Sequence, residues 1–204
     1  MSKILQNWES VYSPALYDQL PRNWQRRNFL ASAAKTATAL ALAPLLMQLG
    51  ACQRQEIAQT ILTEHPWPIF AAVQAVLFPS DGNGPAALDI QATLYLFLVL
   101  HAPDFDPDER KFILDGVGWL DQFAQEKFQH TFLSLSTQQH DTVLRQISQS
   151  RAGDRWVGAL LTYLLEALLA DPVYGGNPNG IGWQWLEHQP GFPRPALPYY
   201  KESR

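Results

Sequence analysis

The chain is poor in the residues on which most protein chemistry rests. It has one cysteine, Cys52, among 204 residues. One cysteine closes no internal disulfide and cannot supply the C-x-x-C-H to which c-type haem is attached. There are five histidines, His65, His101, His130, His140 and His188, and no two of them stand three or four residues apart, so no metal-binding histidine pair is visible. The sequence contains no G-x-S-x-G elbow and no G-x-G-x-x-G following a strand. It also lacks a basic excess: 15 Lys+Arg against 19 Asp+Glu give a formal net charge of −4, with no basic stripe, which argues against a nucleic-acid partner.

What is present begins with an address. Residues 22–52 read RNWQRRNFLASAAKTATALALAPLLMQLGAC. Arg26 and Arg27 precede Phe29 and Leu30, and a weakly apolar stretch from Ala31 to Leu49 follows. The order of basic, apolar and small residues is that of a secretory signal, and R-R-x-F-L is similar to the twin-arginine export pattern. A transmembrane helix is the alternative, since about 20 apolar residues span a bilayer. Lys35, Thr36, Thr38, Pro44 and Gln48 interrupt the run and favour the signal. The segment closes on Leu49-Gly50-Ala51-Cys52, which resembles a lipobox, with Cys52 as the lipidated residue. A plain cysteine near an ordinary cleavage site is the other reading, and an uncleaved signal would serve as an anchor instead. Loss of residues 1–51 removes five Lys/Arg and two Asp/Glu and leaves a formal charge of −7, suited to an acidic domain on a tether. The twin-arginine route carries folded cargo, so the expected location is the periplasm or cell envelope, in association with the membrane.

Residues 53–204 read as one helical domain, because helical spacing and caps recur where strand alternation does not. A helix is expected over 68–78, with Ile69, Val73, Val76 and Leu77 on one face, stopped by Pro79 and a turn cluster over 80–85. Residues 86–100 are nearly all apolar and predict a central buried helix, with a buried strand as the alternative for 94–100. The stretch Asp104-Phe105-Asp106-Pro107-Asp108-Glu109 has calcium-loop spacing, but Glu109 stands where that loop needs glycine. A capping box of Asp106 and Glu109, with Pro107 in the first turn, explains it better and opens a helix to about Phe128. Gly116 and Gly118 inside that helix suggest close packing against a neighbour. Ser136 and Gln139 predict a second capping box and a helix to about Ser148. The last helix is expected from Asp154 to Ala170, with Trp156, Leu160, Leu161, Leu164, Leu165, Leu168 and Leu169 facing the core. The fold class is therefore all-α: a compact bundle of about five helices, followed by an irregular arm, residues 171–204, rich in glycine, proline and aromatics.

The arm opens with DPVYGGNPNGIGW, residues 171–183. Its glycines lack the Gly-Lys-Ser/Thr ending of a phosphate loop and follow a helix instead of preceding one, so phosphate binding is not expected. Protein recognition fits better. Tyr174, Trp183, Trp185, Phe192 and Arg194 are of the types that anchor interfaces, held here on backbone shaped by Gly175, Gly176 and Asn177. The competing reading is that the arm folds back and lids its own helices. Glu166 on the last helix is read as a rim or paired carboxylate. An enzyme using Glu166 with Asp171 as an acid pair is a remote alternative.

Four segments together resemble the small subunit of membrane-associated gluconate 2-dehydrogenase and related sugar or alcohol dehydrogenases, the gluconate 2-dehydrogenase subunit 3 family. They are RRNFL, AVLFPSDGNGP at 75–85, FLSLSTQQHDTVLRQI at 132–147 and ADPVYGGNPNGIGW at 170–183. The last is the most specific. The resemblance implies a complex in which a large flavoprotein holding FAD oxidises the substrate and a multihaem cytochrome c, with haem c, passes electrons on. In it the small subunit carries the export signal read by the twin-arginine translocase. It implies no catalytic, cofactor-binding or metal-binding residue in this chain. A stand-alone α-helical envelope lipoprotein, binding a ligand or protein partner, is the alternative from another class.

Overall fold

The computed structural model describes residues 63–195; Arg26, Arg27, Phe29 and Leu30, read above as an export signal, and Cys52, read as a lipidation site, lie outside them. Among the described residues there are six α-helices and no strand: α1 (Trp67–Leu77), α2 (Ala92–Leu100), α3 (Pro107–Phe128), α4 (Thr137–Ile147), α5 (Arg151–Leu169) and α6 (Ile181–Trp185). None of them is long and apolar enough to cross a membrane.

The starts of three helices follow from short polar side chains placed before an apolar run. Asp106 accepts the backbone N–H of Glu109 at 2.8 Å and opens α3. The carboxylate of Glu109 does not turn back to complete a capping box: it pairs with Arg155 of α5 at 2.9 Å, because α5 crosses within reach of that first turn. Ser136 and Gln139 do form the reciprocal box at the start of α4. The final long helix starts at Arg151, earlier than Asp154, because Ser150 accepts the N–H of Gly153 and caps it there.

Residues 86–100 form a single helix only in part. The Asp89 carboxylate accepts the N–H of Ala86 at 2.8 Å, and Gln91 adopts a left-handed φ of 55°, so 86–91 is a turn and α2 starts at Ala92. From there it is buried nearly all round, helix and not strand.

The core lies where α2, α1, α3 and α4 close on α5. Trp156 is its centre. Its ring is wholly buried, stacks on Phe70 with centroids 6.3 Å apart, and donates its indole N–H to the Ile113 carbonyl of α3 at 2.9 Å. That approach is possible because residue 116 is glycine: a Cβ there would sit less than 3.0 Å from the indole. Gly118 has no neighbour within 4 Å, so the close-packing expectation holds for Gly116 and fails for Gly118.

One expectation about α5 is overturned. Leu160, Leu164 and Leu168 are buried, but Leu161, Leu165 and Leu169 are 40%, 47% and 47% exposed. At about 100° per residue, a position one beyond each buried leucine falls progressively off the core face. Seven apolar positions cover more of the helix circumference than the bundle can cover.

Candidate partner-binding surface

The arm begins where α5 loses its helical backbone. Ala170 takes extended angles (φ −60°, ψ 155°). Asp171 then accepts the N–H of Val173 at 3.1 Å and caps a single 3₁₀ turn, Pro172–Tyr174. Gly175 follows with φ +97°, a left-handed value that glycine adopts without strain. The chain thereby reverses and runs back along the end of α5.

Asn177 fixes the reversal. It is wholly buried and left-handed, with φ 50°. Its backbone N–H donates to the Ile90 carbonyl at 3.0 Å. Its side-chain amide donates to the Ala170 carbonyl at 3.0 Å, and its side-chain oxygen accepts the N–H of Gly182 at 2.7 Å. One side chain thus ties the turn before α2, the end of α5 and the start of α6. The amide of Gly175 goes to Pro172 and that of Gly180 to Asn177. These N–H groups are spent on the chain's own acceptors and do not form a cradle for an anion.

A second 3₁₀ turn, Pro178–Gly180, leads into α6, a helix inside the segment that composition alone marks as irregular. Its residue 182 is glycine because a Cβ there would lie less than 3.0 Å from the Leu168 carbonyl, so α6 lies directly on the backbone of α5. Trp183 is 9% exposed and donates its indole N–H to the Leu169 carbonyl at 2.8 Å, closing one carbonyl that the end of α5 leaves open. Trp185 points the other way. Its indole N–H donates to the Asn83 carbonyl at 2.7 Å, its ring meets Phe78 edge-on at 6.0 Å, and it remains 41% exposed.

Past α6 the arm returns over Trp183. The Arg194 guanidinium lies 4.6 Å from the centre of that ring and forms an ion pair with Asp171. Hydrogen bonding to the Asp171 carboxylate, with its charge, raises the pKa of Arg194 above its ordinary value. Trp183, Arg194 and His188 line an open cleft of about 720 Å³. Phe192 is 86% exposed.

The residues proposed for recognition therefore divide by position. Gly175, Gly176, Asn177 and Trp183 are buried within the chain's own fold, Tyr174 is half-buried, and Trp185, Phe192 and Arg194 lie at the surface. Two roles are absent from the sequence reading: that of Asp171, considered there only as half of an acid pair, which caps a turn and holds Arg194, and that of Asn83, whose carbonyl holds Trp185. The first had a signal, an Asp immediately before Pro at a helix end; the second, a backbone contact 102 residues away in sequence, had none.

The carboxylates suggested as an acid pair have other partners. Glu166 accepts the Tyr95 hydroxyl at 3.2 Å, and Asp171 is engaged as described. His101 and His140 each reach a backbone carbonyl, of Phe97 and Phe132, at 2.7 Å. Among the described residues no group of three or more His, Cys, Asp or Glu could hold a metal ion.

The chain matches no curated protein and no solved structure. A family model, described as gluconate 2-dehydrogenase subunit 3, matches residues 64–191, which takes in all six helices and the reversal held by Asn177.

Proposed function

The chain belongs to the gluconate 2-dehydrogenase subunit 3 family, and from that premise we propose that it is the non-catalytic small subunit of a flavin-dependent dehydrogenase complex acting on a sugar, sugar acid or alcohol. It carries the twin-arginine signal that exports the folded catalytic subunit, and it helps hold that subunit at the membrane through Cys52 or an uncleaved signal. The oxidation itself belongs to the partner, a large flavoprotein with FAD; a multihaem cytochrome c is the expected route for its electrons.

The family match carries this reading. Two further observations support it. Arg26-Arg27-Asn28-Phe29-Leu30 fits a route that moves folded cargo, which a chain without a cofactor motif needs only for a companion. Two of the three buried polar side chains among the described residues are also committed to structure, Asn177 to the reversal and Ser150 to the cap of α5, while the third, Gln74, accepts the Thr93 hydroxyl and keeps an unpartnered amide nitrogen.

The test is export of the companion. Replacing Arg26→Lys together with Arg27→Lys is expected to leave both this chain and the flavoprotein in the cytoplasm, read by fractionation and by flavin absorbance of the periplasmic fraction. A flavoprotein still exported beside a retained small chain would end the escort reading.

A further inference from the structure

The surface of α5 that faces away from the core carries a row that the fold does not use. Leu161, Leu165 and Leu169 are four residues apart, so they form one ridge about 12 Å long. They are 40%, 47% and 47% exposed. An isolated exposed leucine is ordinary on any protein surface; three in line on one helix face are a pattern that marks interaction sites. Of the eight large hydrophobic residues exposed among the described ones, these three lie on the ridge and three more, Trp185, Leu186 and Phe192, lie on the arm. The ridge runs into the arm directly, because the carbonyl of Leu169 is the one that holds Trp183.

Gly158 extends the same face toward the start of α5. Glycine is the poorest helix former after proline. Gly116 and Gly153 have internal reasons to lack a side chain, since a Cβ at either would strike a neighbour. Gly158, like Gly118 in α3, would place a Cβ with nothing within 4 Å, so the chain's own fold gives no reason for either; what sets Gly158 apart is its place in line with the leucine ridge. A surface arriving from outside gives a reason: a bare position at the end of a leucine ridge lets a second element approach the helix closely.

We propose that this outward face of α5, with Leu161, Leu165 and Leu169 in line and Gly158 at its end, is the seam on which the dehydrogenase subunit docks. The assignment rests on the reading of the chain as a subunit of such a complex. The occupant is an apolar groove or helix face of that subunit with a mainly basic border and an acidic group at one end, because the exposed Asp154 and Glu166 border the ridge and the exposed Arg151 stands on the same face where α5 begins. Two acidic groups against one basic one on this face disfavour an anionic bilayer.

The experiment uses the full chain and the separately purified flavoprotein of the same organism, identified by its FAD absorbance, with affinity read by biolayer interferometry. Leu165→Glu is expected to weaken binding about 30-fold or more, the loss typical of an interface hot spot. Gly158→Gln is expected to weaken it about tenfold while leaving helicity and melting unchanged or improved. Leu133→Glu, at another exposed leucine, is the control and should bind like the parent. If the parent binds and both α5 variants bind equally well, the seam is wrong and the subunit reading stands. If the parent does not bind the flavoprotein, both fall. Dimerisation of the chain alone, or binding to lipid vesicles, that is lost in Leu165→Glu would assign the face to a different occupant and also overturn the proposal.

Discussion

Gly116 and Gly118 stand two residues apart in α3 and should respond to the same substitution with opposite signs. Gly116→Ala gains helix propensity, about 1 kcal/mol relative to glycine. Against that, the new methyl lies less than 3.0 Å from the Trp156 indole, which is fully buried and cannot retreat into solvent. Shifting the ring costs about 1–3 kcal/mol for overpacking. Moving it off Ile113 also leaves the buried indole N–H without a partner, roughly another 1–3 kcal/mol. The net expectation is a loss of about 1–5 kcal/mol. At about 4 °C per kcal/mol for a domain of this size, the midpoint should fall by roughly 4–20 °C. Gly118→Ala meets nothing within 4 Å and should gain up to about 1 kcal/mol. Thermal melts of both variants, followed by far-UV circular dichroism, decide the matter. Shifts of the same sign, or a Gly116→Ala variant that melts with the parent, would refute the account of how α3 meets α5.

Asn177→Ala removes a side chain that both donates to Ala170 and accepts from Gly182; it should cost about 2–4 kcal/mol in chemical denaturation, since two buried backbone groups lose their partners, and a loss under 1 kcal/mol would contradict that. Trp183→Ala should destabilise the isolated chain by about 3–5 kcal/mol, the usual range for a buried tryptophan, whereas Trp185→Ala, at a site 41% exposed, should cost clearly less; equal losses would mean that the two rings are not divided as described. The Asp81 carboxyl has a pKa below its ordinary 3.8, chiefly because it accepts the backbone N–H of Asn83. A depressed pKa contributes stability that is complete above pH 3.8 and lost as the pH falls through the lower folded value; an Asp81 carboxyl signal titrating at or above 3.8 by NMR would show that the turn over 80–85 is not held this way.

Local rules reached the helix starts that a single side chain decides. Ser136 with Gln139, and Asp106 before Pro107, are legible because every partner lies within three residues. Glu109 was assigned to the same kind of local partner and instead found Arg155, 46 residues away, because charge is not confined to one helix. The start of α5 was placed too late, since Gly153 looks like a poor helix residue until Ser150 is seen to cap it. Counting apolar positions could not separate Leu160 from Leu161, which are both leucine and differ only in which side of α5 the bundle covers. The angular spread of seven apolar residues was the one available signal that some must face outward. In the arm, the interface-type aromatics were visible, but which of them the chain keeps for itself depends on the reversal at Asn177, a long-range arrangement with no local period.

The knot at Asn177 also reverses an ordinary assumption about chain ends. Glycine-rich segments past the last long helix are usually the first to open, and their amide protons exchange with solvent quickly. Here the amides of Asn177 and Gly182 are held by Ile90 and by a buried side chain, in contact with the centre of the bundle. Their deuterium uptake should therefore be as slow as that of the amides of α2, and the residues around 177 should behave as part of the bundle's last-opening unit, with the loosely held chain beginning only beyond α6.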